Sequence, residues 1–119
     1  YKHECMATAN ALRARLNLDE DQLLVTFQSV FGPAKWLGPA TIDTVAELAR
    51  RGTRRLDVIC PGFMTDCLET VDEIAQLNRE TFLEAGGSEF NYIPWGNASR
   101  GAVETLEALA RRGLAGWID

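Results

Sequence analysis

An α/β fold, built on a parallel sheet with helices on both faces, is what this amino-acid sequence predicts. Three observations carry the prediction. Apolar residues alternate along the chain between a helical period and short runs rich in β-branched and aromatic side chains. The order is one helix followed by three strand–helix pairs, and strands separated by helices pair in parallel through right-handed crossovers. The 119 residues, 46% hydrophobic and 24% charged, amount to one globular domain covering 1–119.

Each element has its own signal. From His3 to Asn17, the residues Cys5, Ala9, Leu12 and Leu16 fall on one helical stripe. Leu23 to Val30 is a short apolar run that reads as a strand. A loop holding Gly32-Pro33 and Gly38-Pro39 follows. Thr41 then caps a helix whose stripe is Ile42, Val45, Leu48 and Ala49, with Arg50, Arg51 and Gly52 as its stop signal. Leu56 to Cys60 is a second strand, broken by Pro61-Gly62. A long helix runs from about Asp66 to Ala85, with Leu68, Val71, Ala75 and Phe82 on the face expected to pack on the sheet, and Gly86-Gly87 ends it. Phe90 to Ile93 is a third strand, closed by Pro94. Asn97 or Ser99 starts a last helix with Val103, Leu106 and Leu109 inward, ending near Gly113. A sheet of this kind normally opens on a strand, so its first strand is expected to be missing ahead of Tyr1, and the chain reads as a fragment.

Composition excludes several functions. Twelve Lys and Arg against seventeen Asp and Glu leave a net charge of −5, the wrong sign for a phosphate-binding surface, so no nucleic-acid partner is expected. No apolar run reaches the roughly 20 residues of a membrane-spanning helix. Three cysteines, an odd number, read as reduced thiols of a cytoplasmic protein. Glycine-rich phosphate loops of either dinucleotide or P-loop spacing are absent, as is a nucleophile elbow. His3, the one histidine, reads as a solvated residue near the chain start.

Ligands of parallel α/β sheets bind beyond the carboxyl ends of the strands. Two loops leave those ends, Ser29 to Ala40 and Pro61 to Thr65, and the long helix begins just after the second. Asp66, Glu69 and Glu73 are spaced i, i+3 and i+7 and so share a helix face. Such like charges cost a few tenths of a kcal/mol unless something binds between them. Carboxylates suit a hard or borderline divalent cation and can also accept protons. Asp66 and Glu69 equally fit a capping-box variant that serves the helix start alone, which leaves Glu73 unexplained. Trp36 and Phe63 sit on the two loops, each either a flat ligand wall or a cover for the core edge.

Thr26-Phe27-Gln28-Ser29-Val30-Phe31-Gly32, Trp36-Leu37-Gly38-Pro39, Pro61-Gly62-Phe63 and Asp66-Cys67-Leu68-Glu69-Thr70 together resemble the carboxyl-terminal half of ferrochelatases in order and spacing. The resemblance runs from the first helix to about Asn97. It implies a class II chelatase-like, Rossmann-like lobe, one of two that enclose a porphyrin cleft, the amino-terminal lobe being the missing partner. It implies insertion of Fe²⁺ into protoporphyrin to form haem, with Fe²⁺ and porphyrin as substrates and no further cofactor. This segment gives no support for an iron–sulfur cluster. Glu69 takes the position of the family's catalytic and metal-path glutamate, and Glu73 continues the acidic line as a second metal residue. The next acid of that line falls near Leu77, so the line is shorter here. Trp36 and Phe63 match aromatic residues lining the porphyrin pocket, with Gln28 and Ser29 shaping the strand end beside it. The family's active-site histidine lies upstream of Tyr1 and His3 does not match it, so the isolated chain is expected to be inactive. Peripheral contact with a membrane stays open, as does oligomeric state. Two other readings remain: a non-catalytic tetrapyrrole- or metal-binding lobe, and a chelatase for another metal or ring.

Overall fold

Seven segments of regular structure occur in the computed structural model, which describes residues 1–29, 32–33 and 35–117. They are α1 (Lys2–Leu16), α2 (Thr41–Arg50), β1 (Arg55–Val58), a π-helical segment (Glu69–Asn78) that runs directly into α3 (Arg79–Glu84), β2 (Glu89–Tyr92) and α4 (Arg100–Gly113). Strands β1 and β2 pair in parallel, Arg55 opposite Glu89, Leu56 opposite Phe90, Asp57 opposite Asn91 and Val58 opposite Tyr92. The crossover between them is the π-helical segment with α3, the β–helix–β unit that the alternating periods predict.

Alternation along the strands decides which face is covered. Leu56, Val58, Phe90 and Tyr92 are half-buried, and Arg55, Asp57, Glu89 and Asn91 between them are exposed. Helices α2 and α3 pack on the first face. Val45, Ala49 and Phe82 form the buried cluster there, against Leu56, Leu83, Ala85 and Phe90. Phe82 has no exposed surface, and its ring meets Phe90 at 6.0 Å between centroids with a 54° tilt. Burial of such a side chain contributes about 1.5–3 kcal/mol.

The class is α/β with parallel strands, as the periods predict, but the sheet is smaller than expected and its polar face is exposed. The run Leu23 to Ser29 forms no strand, and Val30, Phe31 and Ala34 lie outside the described residues. Phe27 makes a single parallel bridge to Ala40, donating to Pro39 O at 2.9 Å and accepting from Thr41 N at 3.0 Å. Arg13 Nε donates to Leu23 O at 3.1 Å. Ser29 turns into the left-handed region with φ 58°, which breaks the extended backbone. Leu23 O and the Phe27 backbone groups are thus bonded to α1 and to the chain at Pro39 and Thr41 in place of a neighbouring strand.

Element boundaries follow local chemistry. Asn17 closes α1 in the left-handed conformation, φ 54°. Ala40, not Thr41, occupies the N-cap of α2; Thr41 is the first helical residue, and its buried hydroxyl bonds to Thr26 Oγ1 at 3.0 Å. Ser99 caps α4, its Oγ accepting from Ala102 N at 3.3 Å. Two expected apolar faces are displaced. Val103, Leu106 and Leu109 of α4 are each about half exposed, and only Ala102 of that helix is buried. In the long helix, Leu68 and Val71 are exposed, whereas Thr70, Ile74, Asn78 and Phe82 are buried. From Thr70 to Asn78 that spacing of four lies in the wider π turn, in which hydrogen bonds run i→i+5, and Phe82 continues it from α3.

Candidate functional site

The residues singled out by the sequence converge at the carboxyl ends of the strands. The π-helical segment supplies Glu69 and Glu73, one wide turn apart and both half-buried. From the loop before Gly32, Ser29 Oγ donates to Glu73 Oε2 at 2.7 Å and Gln28 Nε2 donates to Glu69 O at 2.8 Å. These two bonds tie residues more than forty positions apart. Trp36 Nε1 donates to Gln28 O at 3.1 Å, which fixes the indole on the same wall with 42% of its surface open. Four of the six candidates, with Trp36 as a fifth through Gln28, thus form one hydrogen-bonded group.

Phe63 has no hydrogen bond to that group. Its amide donates to Cys60 O at 3.1 Å, closing the turn after β1, and its side chain is half-buried. The Cys60 thiol reaches Gln28 Oε1 at 3.8 Å, so this loop is attached to the same glutamine. Burial, with the nearby Cys67 and Asp66, pushes the Cys60 thiol up to about 11, which keeps it protonated and able to donate. The three cysteines are free thiols.

Hydrogen bonding rather than burial dominates at Glu69. The Cys67 thiol and the residue's own amide hold its carboxyl below the usual glutamate range, against a smaller opposing effect of desolvation. Glu69 is therefore an anion throughout the neutral range. The N-cap of this segment, Leu68, has no side-chain cap, and the nearby Cys67 N donates to Thr70 Oγ1 at 3.0 Å. The capping-box reading of Asp66 and Glu69 is replaced by this pair, and Glu69 is left for other work.

Asp66 does not join the acidic line. Its Oδ1 accepts from Tyr92 O–H at 2.7 Å and from Thr70 Oγ1 at 3.1 Å, and its Oδ2 accepts from Asn97 Nδ2 at 2.8 Å. Asn97 Oδ1 accepts in return from Asp66 N at 2.8 Å. These donors, Tyr92 first, lower the Asp66 pKa, while burial and the Asp66 partner push Tyr92 up to about 12. The carboxylate thus ties the β1 exit, the π-helix start and the β2 exit together. Among the described residues no three His, Cys, Asp or Glu side chains gather as a metal cage. A divalent ion at Glu69 and Glu73 would keep open positions for water or another ligand, which suits a cation in transit more than a resident one.

Sequence reasoning overlooked Tyr92, Trp95 and Asn97. Trp95 Nε1 donates to Cys60 O at 2.9 Å, and Gly96, at φ 70°, passes so close that a Cβ there would fall on Met64 O. The signal was present in Pro94-Trp95-Gly96-Asn97, a turn leaving the third strand's carboxyl end like the two loops that were considered.

Comparison with known sequences now identifies the framework. The sequence model of the family described as ferrochelatase matches residues 1–114. A ferrochelatase of Bordetella pertussis is 52% identical over 117 residues, covering 98% of this chain and 32% of the relative. One of Brucella anthropi is 49% identical over 118 residues, covering 99% of this chain and 34% of the relative. The chain spans about a third of the length of these curated relatives. A match over nearly the whole chain, through the residues that build the Ser29–Glu73 and Gln28–Glu69 wall, means that the chain belongs to the ferrochelatase family.

Proposed function

We propose that this chain is the carboxyl-terminal lobe of an enzyme that inserts ferrous iron into a free-base porphyrin, giving haem. The observation that carries the reading is a π-helical segment bearing Glu69 and Glu73, bonded to Gln28 and Ser29, with the Trp36 indole anchored to the same glutamine. The amino-terminal lobe would close the porphyrin cleft and supply the upstream histidine. Protoporphyrin is the proposed ring and the cytoplasm the proposed compartment. Three free thiols are compatible with that compartment. No helix among the described residues is long and apolar enough to cross a membrane.

The reaction exchanges two protons for one cation: Fe²⁺ sheds water, the two pyrrole N–H bonds break, and two protons leave as four nitrogens take the metal. Glu69, kept ionised by the Cys67 thiol and its own amide, is placed to hold the ion while water departs. Glu73, aligned by Ser29, extends the negative path and can accept a proton. Trp36 offers a flat apolar wall for the ring, and Phe63 is assigned to the same pocket from the neighbouring loop. Glu69→Gln in the complete protein tests the reading: folding intact with metallation reduced by two orders of magnitude or more is expected. Wild-type metallation by that variant would reduce Glu69 to a structural residue.

A further inference from the structure

We infer that Asn78 is a positioning residue for iron insertion, holding the π-helical register that aligns Glu69 and Glu73 with Ser29 and Gln28. The inference rests on the proposed chelatase reading and adds a residue outside the cleft to it.

Every fourth residue from Thr70 to Phe82 is buried, and the positions on either side of Asn78 are filled by Ile74 and Phe82, 1% and 0% exposed. Asn78 itself is 3% exposed, a place where a leucine of similar size would pack without a polar cost. Its Oδ1 is buried with no partner among the described residues. An orphaned buried acceptor destabilises, so the amide is there for its other end. Nδ2 donates to Glu73 O at 2.6 Å. That carbonyl lies five residues back, the acceptor position of a π turn, whereas an α turn would use the carbonyl four back.

The side chain therefore adds a second donor to the acceptor that distinguishes the two helix types. It does so where the π-helical segment ends at Asn78 and α3 begins. Phe82 anchors α3 in the core. Should the last π turn revert to α, everything before it would rotate relative to α3 by about 100°, the angle of one α-helical residue. Glu73 would leave Ser29, and the Glu69 carbonyl would leave Gln28. Nothing on Asn78 reaches the wall itself; its effect is carried by the backbone.

The test compares Asn78→Leu with Asn78→Gln in the complete protein, measuring thermal stability and the KM for Fe²⁺ and for porphyrin separately. Asn78→Leu is expected to melt no lower than wild type, because the orphan is removed, yet to lose tenfold or more in kcat/KM for Fe²⁺. The porphyrin KM should stay within twofold. Asn78→Gln, which keeps an amide N–H donor able to reach the carbonyl five back, should recover part of the loss. Unchanged Fe²⁺ kinetics in Asn78→Leu, or a loss that both variants share, overturns the inference. If Asn78→Leu does not fold, Asn78→Ala replaces it, and equal Fe²⁺ kinetics in Asn78→Ala and Asn78→Gln overturns the inference in the same way. The wild-type complete protein run in parallel separates the two levels: absence of iron insertion there defeats the chelatase reading, whereas wild-type insertion beside a fully active Asn78→Leu defeats the positioning role alone.

Discussion

Removing the Ser29 hydroxyl should cost stability only when the backbone strain at that residue is kept. Ser29 holds φ 58° and donates to Glu73 Oε2 at 2.7 Å. A hydrogen bond to a charged acceptor contributes about 1.5–3 kcal/mol, and the half-exposed glutamate can recover part of that from water, leaving about 1–1.5 kcal/mol. Ser29→Ala loses this and retains a left-handed residue with a Cβ. Ser29→Gly loses the same bond but relieves about 1 kcal/mol of left-handed strain, so it should fall within about 0.5 kcal/mol of wild type. Urea unfolding followed by circular dichroism reads both variants, and Glu73→Ala, which removes the acceptor, completes a double-mutant cycle with Ser29→Ala. A coupling of about 1 kcal/mol is expected. A coupling near zero, or Ser29→Gly less stable than Ser29→Ala, would refute the claim that this bond joins the loop to the π helix.

Other outcomes follow from the same geometry. The Asp66 lock gives stability that is complete above the unfolded aspartate pKa of about 4 and lost as pH falls through its depressed folded value. In an acid titration, Asp66→Asn should therefore remove part of the stability above pH 4 and flatten the pH dependence below it. Gly96→Ala sets a Cβ on Met64 O at a positive φ, so it should destabilise by about 2 kcal/mol or more in denaturant titration, and Gly96→Asn, which tolerates the positive φ but carries the same Cβ, should destabilise comparably. Phe82→Ala should cost about 3–5 kcal/mol and Phe82→Leu clearly less, measured by the same method.

Much of the fold could be read from the chain because punctuation and period agreed. Gly52 ends α2 at φ 98°, Ser99 caps α4, and the alternation Arg55-Leu56-Asp57-Val58 sets one face of β1 toward the core. Where expectations failed, a tertiary partner or an unusual turn was decisive. Leu23 to Ser29 carries strand-forming residues, but Pro39 O, Thr41 N and Arg13 take its backbone groups. The buried face of the long helix was assigned with the α period, which cannot anticipate a π turn; Thr70 and Asn78 look like surface residues until every fourth position is followed. Leu106 and Leu109 have a helical stripe, yet nothing among the described residues covers it.

The candidate site was legible for a different reason. Ligand loops of parallel sheets leave the strand carboxyl ends, and Gln28, Ser29, Trp36, Glu69 and Glu73 all lie there in the sequence. Their mutual bonds could not be read, since spacing does not tell which side chain meets which across forty residues. Asp66 shows the consequence: its helical spacing placed it with the two glutamates, and Tyr92, Thr70 and Asn97 draw its carboxylate to the other loop.

The most direct measurement is a structure of the complete protein with a porphyrin analogue that cannot take metal, soaked with a divalent cation and read by anomalous scattering. The cation is expected within coordination distance of Glu69 or Glu73 and the macrocycle against Trp36. A cation held elsewhere, with the two glutamates open to bulk water and the ring away from the indole, would contradict it.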